Sequence, residues 1–358
     1  MSHYCLDDFL DLPQIVYRED QNYTPNNPEK VRWQLSSDNP LNSFTQVWLD
    51  CEPGKARLAG FFHPKQIIAG VPSAFFGFWE SIDDLKICSS LFKSFEAWAK
   101  DQGAKRIYGP IDYTTFGRYR LRMPHKKYPT PFTGEPYNPS YYPHLLAALG
   151  YRVAESYETL IARSRLLTIA MTKFKVLKKS PPRDIEFLPL TNEALRQYQT
   201  GIYDLIHSIF QHNFAYRSIS KEQFENFVIP NYQRIVDPNS SVLLFDHSKE
   251  RVVGVGVTYP DYSQITSQGA KTRISEDDIS FAKHHHLLRN PMILGKTYGV
   301  LPEYRRQGLH NAMSYMSMRY GQGWGPTVAC LARRGNHSIR KIRAPVDVIE
   351  YGLYAKDL

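Results

Sequence analysis

Residues 293–320 read ILGKTYGVLPEYRRQGLHNAMSYMSMRY. A strand-like run ends at Val300, a short basic turn with one glycine follows, and apolar residues then recur at helical spacing: Leu309, Ala312, Met313, Met316 and Tyr320. Strand, turn and helix start collect backbone N–H groups and the positive end of a helix dipole at one point. That combination can hold a pyrophosphate.

The surrounding residues place this unit in a mixed sheet. Upstream, Thr191 opens a helix with Leu195, Ile202, Leu205, Ile206 and Ile209 on one face, and Ser220 and Gln223 form a capping box that opens another. SVLLF and RVVGVGVTYP predict two strands across the polar turn DHSKE, and a polar insert runs from Asp261 to Asn290. Downstream, Thr327 to Ala332 predicts a strand, Asn336 to Arg343 a short helix and Val348 to Ala355 a final strand. The second half is thus expected to be one mixed sheet with helices on both faces and right-handed crossovers.

The first half repeats this grammar. Residues 1–43 are rich in Asn, Pro, Asp and Tyr and read as a lead-in of short pieces. From Phe44, FTQVWLDCE, ARLAGFFHP and SAFFGFWES predict an antiparallel meander. Asp83 or Asp84 caps a helix whose Cys88, Leu91, Phe92, Phe95, Trp98 and Ala99 share a face, and KRIYGPI and YRVAESYETLIAR predict further strands. Between them, Asp112 to Tyr142 is long and irregular, with Arg118, Arg120, Arg122, Lys126 and Lys127 interleaved with aromatics and offset only by Asp112 and Glu135. Such a loop either grips an anionic or planar ligand or forms a solvated cover over a core edge. Residues 163–183 hold seven Lys or Arg and no acid, and end in Pro181-Pro182. They read as a connector between halves, or as a basic patch for an acidic partner. The boundaries are then 1–43 for the lead-in, 44–163 for the first domain, 164–183 for the linker and 184–358 for the second.

Composition narrows the class. At 358 residues, 42% hydrophobic and 22% charged, the chain can bury two ordinary cores. No apolar run reaches the roughly 18 residues of a membrane span, and the N-terminus lacks a signal-peptide pattern, so a cytoplasmic location and no membrane partner are expected. Four cysteines without a CxxC pair fit buried thiols better than a zinc site or disulfides. His284, His285 and His286 are consecutive and do not face one way, so no metal is expected. A net charge of +9 fits an anionic partner, and equally a merely basic soluble protein.

The run Val300-Leu-Pro302-Glu303-Tyr304-Arg305-Arg306-Gln307-Gly308-Leu309-His310 resembles the cofactor loop of the GNAT family of acyl-CoA-dependent N-acetyltransferases, Arg/Gln-x-x-Gly-x-Gly/Ala. His310 departs from it at the Gly/Ala position. The resemblance implies an α/β fold (an α+β mixed sheet) of two tandem GNAT-like domains, each a mostly antiparallel sheet flanked by helices. It extends through VTYPDYSQ, FLDLPQIVYREDQNYTP and PYNPSYYPHLLAALGY to nearly the whole chain. SAFFGFWESIDDLKICSS has no basic glycine turn, so the first half is expected to be a degenerate copy that shapes the cleft.

By the same resemblance, acetyl-CoA or another acyl-CoA would be held by Val300, Arg305, Arg306, Gln307, Gly308, Leu309, His310 and Asn336, with the Val300 N–H as oxyanion donor. The family's usual acidic Tyr has no counterpart in Lys341 to Ala344. Tyr298 and Tyr351 are the catalytic substitutes, with Tyr354 a further one; packing is the alternative role for such residues. Arg118, Arg120, Arg122 and Asp261 are the candidate substrate contacts, and the basic loop implies an acceptor with negative charge. The expected activity is acyl-CoA-dependent transfer to an amine of a small or carrier-bound molecule. Two alternatives remain: transfer from aminoacyl-tRNA, and a non-catalytic binding protein with a degenerate loop. An acidic carrier protein or tRNA is the macromolecular partner these readings allow.

Overall fold

The computed structural model describes residues 6–42, 44–320, 324–336 and 345–358. The short helix expected from Asn336 to Arg343 and the packing of the Tyr320 side chain fall outside the described residues.

The lead-in forms α1 (Leu6–Val16) and α2 (Pro28–Leu35), the second capped by Asn27, whose side chain accepts from the N–H groups of Glu29 and Lys30. An antiparallel meander follows: β1 (Gln46–Glu52), β2 (Ala56–Ile68) and β3 (Val71–Ser81). Helix α3 (Leu85–Asp101) buries Cys88, Leu91, Phe92, Phe95 and Ala99, and Asp84 caps it. Next come β4 (Arg106–Gly109), β5 (Leu121–Arg122), α4 (Tyr142–Ala148), β6 (Arg152–Ala162) and α5 (Arg165–Lys178). The basic connector is therefore largely helical.

The second half opens with β7 (Ile185–Pro189), α6 (Asn192–Gln197) and α7 (Gln199–Phe210). The Ser220–Gln223 capping box is present at α8 (Lys221–Gln223), which runs through a wide turn at Phe224–Val228 into α9 (Ile229–Ile235). Strands β8 (Val242–Asp246) and β9 (Arg251–Pro260) pair; α10 (Ser263–Thr266) and α11 (Phe281–His284) occupy the polar insert. The chain finishes with β10 (Ile293–Val300), α12 (Leu309–Tyr320), β11 (Thr327–Arg333) and β12 (Val346–Asp357).

Among the described residues, all twelve strands join one sheet, ordered β1-β2-β3-β4-β12-β6-β11-β10-β9-β8-β7, with β5 beside β12. Of these pairs only β3/β4 and β10/β11 are parallel. The closing strands are exchanged: β6 of the first half pairs with β11, and β12 of the second half pairs with β4. β6 and β12 then pair with each other from Val346↔Ala162 to Ala355↔Arg152, which fuses the two halves. One large core cluster spans both halves; a second, around Phe76, Phe92, Phe95 and Tyr142, lies between α3, α4 and the first-half sheet. Cys51, Cys88 and Cys330 are buried free thiols.

Candidate functional site

Strands β10 and β11 are hydrogen-bonded partners only from Ile293–Gly295 against Thr327–Ala329. The register of β10 on β9 then slips at Lys296, a one-residue bulge, and β10 runs on to Val300 with β9 alone. On the other side, β11 follows β6, with its own irregularity between Ala329 and Ala332 and a left-handed Leu331 at φ 51°. The two strands therefore part at a vertex beside Lys296. The N–H of Leu301 donates to Val253 O at 2.9 Å. Alternation along an antiparallel ladder turns the N–H of Val300 the other way, towards the gap.

The slot opens onto the loop after β10. The hydroxyl of buried Tyr304 donates to Asp246 Oδ2, and Arg251 pairs with Glu303 at 2.9 Å, so the start of the turn is tied to the β8–β9 hairpin. Hydrogen bonds from Ser248 and Tyr304 hold the Asp246 carboxyl down at about 2. Arg306 (φ 62°) and Gly308 (φ 85°) are left-handed, and α12 begins at once, its first backbone bond running from Ala312 N to Gly308 O. Successive N–H groups and the helix start converge there. A β-carbon at Gly308 would lie 2.7 Å from the carbonyl oxygen of Lys179, the residue that caps the end of α5, so only glycine fits. Lys179 Nζ also donates to Arg306 O. Lys175, Lys179, Arg305 and Arg306 thus gather four cations around the turn, two of them from the connector, where the sequence reading assigned no site residue. The donors, the glycine and the charge suit a pyrophosphate; His310 lines the cleft with its ring 6.0 Å from that of Tyr298. Gln307 turns back to Glu303 O at 3.1 Å. Asn336 lies after β11 on the cleft wall, its N–H bonded to Arg333 O at 2.9 Å.

Slot and loop open into a cleft of about 1460 Å³ lined by both halves. The predicted site residues divide there. Tyr298 lines the cleft, its hydroxyl donating to Ser317 Oγ at 2.5 Å and its pKa raised by burial. Arg118 lines it too but is paired with Glu276 at 2.8 Å. Arg120 is 3% exposed, its guanidinium 3.5 Å from the Tyr119 ring centroid and 3.8 Å from that of Tyr157. Stacking on both faces leaves only the edge of the fork for hydrogen bonds. One Nη reaches Leu331 O at 3.5 Å, and Nε has no partner among the described residues. Burial lowers the pKa to about 9, which leaves the group charged at neutral pH.

Three of the expected site residues lie away from the cleft. Arg122 is buried and spends its guanidinium on the carbonyls of Tyr128 and Pro129, holding the irregular segment together. Asp261 is buried and accepts from Thr133 and Ser263, stitching that segment to the second half. Tyr351 is 1% exposed and donates to Glu135. None of the three lines the cleft. Glu135, in turn, is expected from the sequence only as a counter-charge to the basic loop. Its carboxylate accepts from Thr159 Oγ1 at 2.7 Å and from Tyr351, and lies 3.9 Å from Lys296 Nζ. Cys330, its pKa raised by burial, sits against the same carboxylate. The bulge residue Lys296 therefore faces the vertex of the slot with a buried acid behind it.

In the first half the corresponding slot is shut. Strands β3 and β4 pair over three residues, Ser73–Phe75 with Arg106–Tyr108, but Ile111 N then donates to Phe76 O and Asp112 Oδ1 accepts from Phe78 N. The Asp84 carboxylate occupies the start of α3, where an anion would have to sit.

The whole chain aligns with a tandem GNAT protein from the clavulanic acid biosynthesis pathway at a TM-score of 0.53 and 9% identity, over 98% of this chain and 94% of that one. The chain has the GNAT fold. Two further solved GNAT-like structures agree: a GCN5-related glucosamine N-acetyltransferase region of a fungal multi-domain GH3 β-N-acetylglucosaminidase (TM-score 0.53, 12% identity, 98% and 37% covered), and a protein from Enterococcus faecalis V583 titled a probable N-acyltransferase (0.52, 12%, 98% and 70%). No family model matches the sequence. Protein YghO of Escherichia coli (strain K12) is 23% identical over 223 residues, 60% of this chain, and the match spans 56% of that relative's length. On the GNAT frame, the open slot lies in the second half and the closed one in the first. Among the described residues no group of three or more His, Cys, Asp or Glu could hold a metal ion.

Proposed function

We propose that the protein is an acyl-CoA-dependent N-acyltransferase whose acceptor amine also carries a negative charge. The observation that carries this reading is the open slot between β10 and β11, which ends on a left-handed, cation-rimmed turn at the start of α12. Bound acyl-CoA would supply an activated acyl group: the amine nitrogen would bond to the carbonyl carbon as the C–S bond breaks, the amine giving up a proton and the departing CoA thiolate taking one up. Arg305, Arg306, Lys175 and Lys179 would hold the phosphates, and the Val300 N–H would donate to the carbonyl oxygen as it gains charge. Lys296, backed by Glu135, and the Tyr298 hydroxyl are the proton-handling groups on the slot side of the cleft. Arg120 offers the unused edge of its fork to an acceptor carboxylate or phosphate.

The cleft exceeds the roughly 300–1,000 Å³ of most small-molecule sites, and Met171, Ile206, Ile209, Phe210 and Phe214 line it. Thioesters longer than acetyl belong in the test. Isothermal titration with CoA, followed by thiol release from a chain-length series of acyl-CoAs with acidic and neutral amines, should give binding at micromolar to millimolar CoA and turnover favouring acidic amines. Absence of heat at millimolar CoA would overturn the assignment; absorbance at 260 nm removed by nuclease would point to a tRNA donor instead.

A further inference from the structure

Among the described residues, no other element covers the apolar side chains on the outer face of α5. Leu166, Phe174 and Leu177 are 81, 69 and 72% exposed, and Leu167 is exposed beside them. At about 3.6 residues per turn, positions 166, 170, 174 and 177 form one stripe. The inner face is committed elsewhere. Thr168, Met171, Thr172 and Lys175 line the cleft, Arg165 donates to the carbonyls of Met318 (2.8 Å) and Trp324, and Lys179 donates to Arg306. The helix is thus fixed at both ends with its apolar stripe outward, and single exposed leucines are common where such a contiguous row is not.

Charge says what covers it. Residues 163–183 contain seven Lys or Arg and no acid. Lys173 and Lys178 flank the stripe and form no ion pair among the described residues. Leucine and phenylalanine along one face with lysines at its margins, whose stems can lie along apolar surface while the ammonium stays wet, match a helix lying in the plane of a bilayer interface. Among the described residues no helix is long and apolar enough to cross a membrane.

We infer that α5 docks the protein on an anionic lipid surface through Leu166, Phe174, Leu177, Lys173 and Lys178. Because the same helix lines the cleft, docking sets the cleft beside the headgroups, where a lipid-tailed acyl donor or acceptor can enter without crossing water. This departs from the expectation of no membrane partner, and it stands whether or not the transferase reading does.

Co-sedimentation of the full chain with vesicles of phosphatidylcholine, with and without phosphatidylglycerol, tests it. The protein should pellet with the anionic vesicles and be released by salt. The double variant F174E/L177E should lower the partition on the order of tenfold or more, and K173E/K178E should remove the preference for phosphatidylglycerol. Circular dichroism melting should stay near wild type, since these side chains are exposed. In F174W, indole emission should shift to the blue on adding anionic vesicles. Wild-type protein remaining in the supernatant, equal pelleting of all variants, or a dimer in sedimentation velocity that F174E/L177E dissolves would each overturn the proposal; the last would assign the stripe to a second copy of this chain.

Discussion

In the first half the backbone N–H of Phe78 donates to Oδ1 of Asp112 at 2.7 Å, and that bond occupies the edge whose counterpart in the second half, the N–H of Val300, is turned towards an open slot. Burial raises the Asp112 carboxyl from 3.8 to about 6. A carboxyl whose folded pKa lies above its unfolded value contributes stability that is present below about pH 4 and lost as pH rises through about 6, each tenfold change in proton affinity being worth about 1.4 kcal/mol. Asp112→Asn keeps an oxygen for Phe78 but does not titrate. Urea midpoints of wild type should therefore fall relative to Asp112→Asn between about pH 4 and 6; parallel pH curves would count against a buried, titrating Asp112.

Gly308→Val is expected to lose CoA binding by calorimetry while remaining folded. The left-handed φ costs a branched residue about 1–2 kcal/mol, and its β-carbon would press on the Lys179 carbonyl, displacing the turn from α5. Unchanged CoA affinity would show that the phosphates bind elsewhere.

Arg120→Met fills the gap between Tyr119 and Tyr157 without the charge. Removing a buried cation that has no ion-pair partner among the described residues should leave the melting temperature unchanged or higher. For an acidic acceptor, kcat/KM should fall about ten- to a hundredfold, as expected for losing a hydrogen-bonded charge pair, with neutral acceptors unaffected. Equal losses for both acceptor classes would refute a charge-reading role.

Tyr298→Phe removes the hydroxyl that reaches Ser317 and should cost about 1 kcal/mol of stability. If that hydroxyl handles the proton, kcat should fall by about two orders of magnitude or more with KM little changed. A kcat within twofold of wild type would leave Tyr298 as a packing residue.

Glu135→Ala strips the acceptor from Thr159 and Tyr351 and the counter-charge from Lys296. Breaking a buried network of this kind costs about 3–5 kcal/mol, read as a lower urea midpoint, and Glu135→Gln should recover part of it. A midpoint unchanged in Glu135→Ala would mean the network is not coupled to folding.

What the sequence disclosed was local. The Arg305–Gly308 turn was legible because glycine and basic residue types reflect demands made at their own positions, and the caps at Asp84 and Ser220 were legible for the same reason. The exchange of β6 and β12 was not, since a strand's own residues do not name its neighbours. Arg122 and Asp261 misled because a charge spent on buried carbonyls or hydroxyls reads like one facing a ligand. Glu135 reads in the sequence only as a counter-charge to the basic loop, because its partners, Thr159, Lys296 and Tyr351, come from three separate strands. In α5 the lysines read as a soluble connector, although Leu166, Phe174 and Leu177 recur at helical spacing.

The exchanged strands also set an order of events in the cell. The ribosome makes β12 after the other eleven strands, yet it lies between β4 and β6. Until β12 emerges, the first half waits with the edge of β4 unpaired and β6 lacking one neighbour, a state exposed to mispairing and to chaperones. That one strand therefore closes both halves at once, and a transcript broken ahead of it spoils the molecule throughout, not only in the half where the break falls.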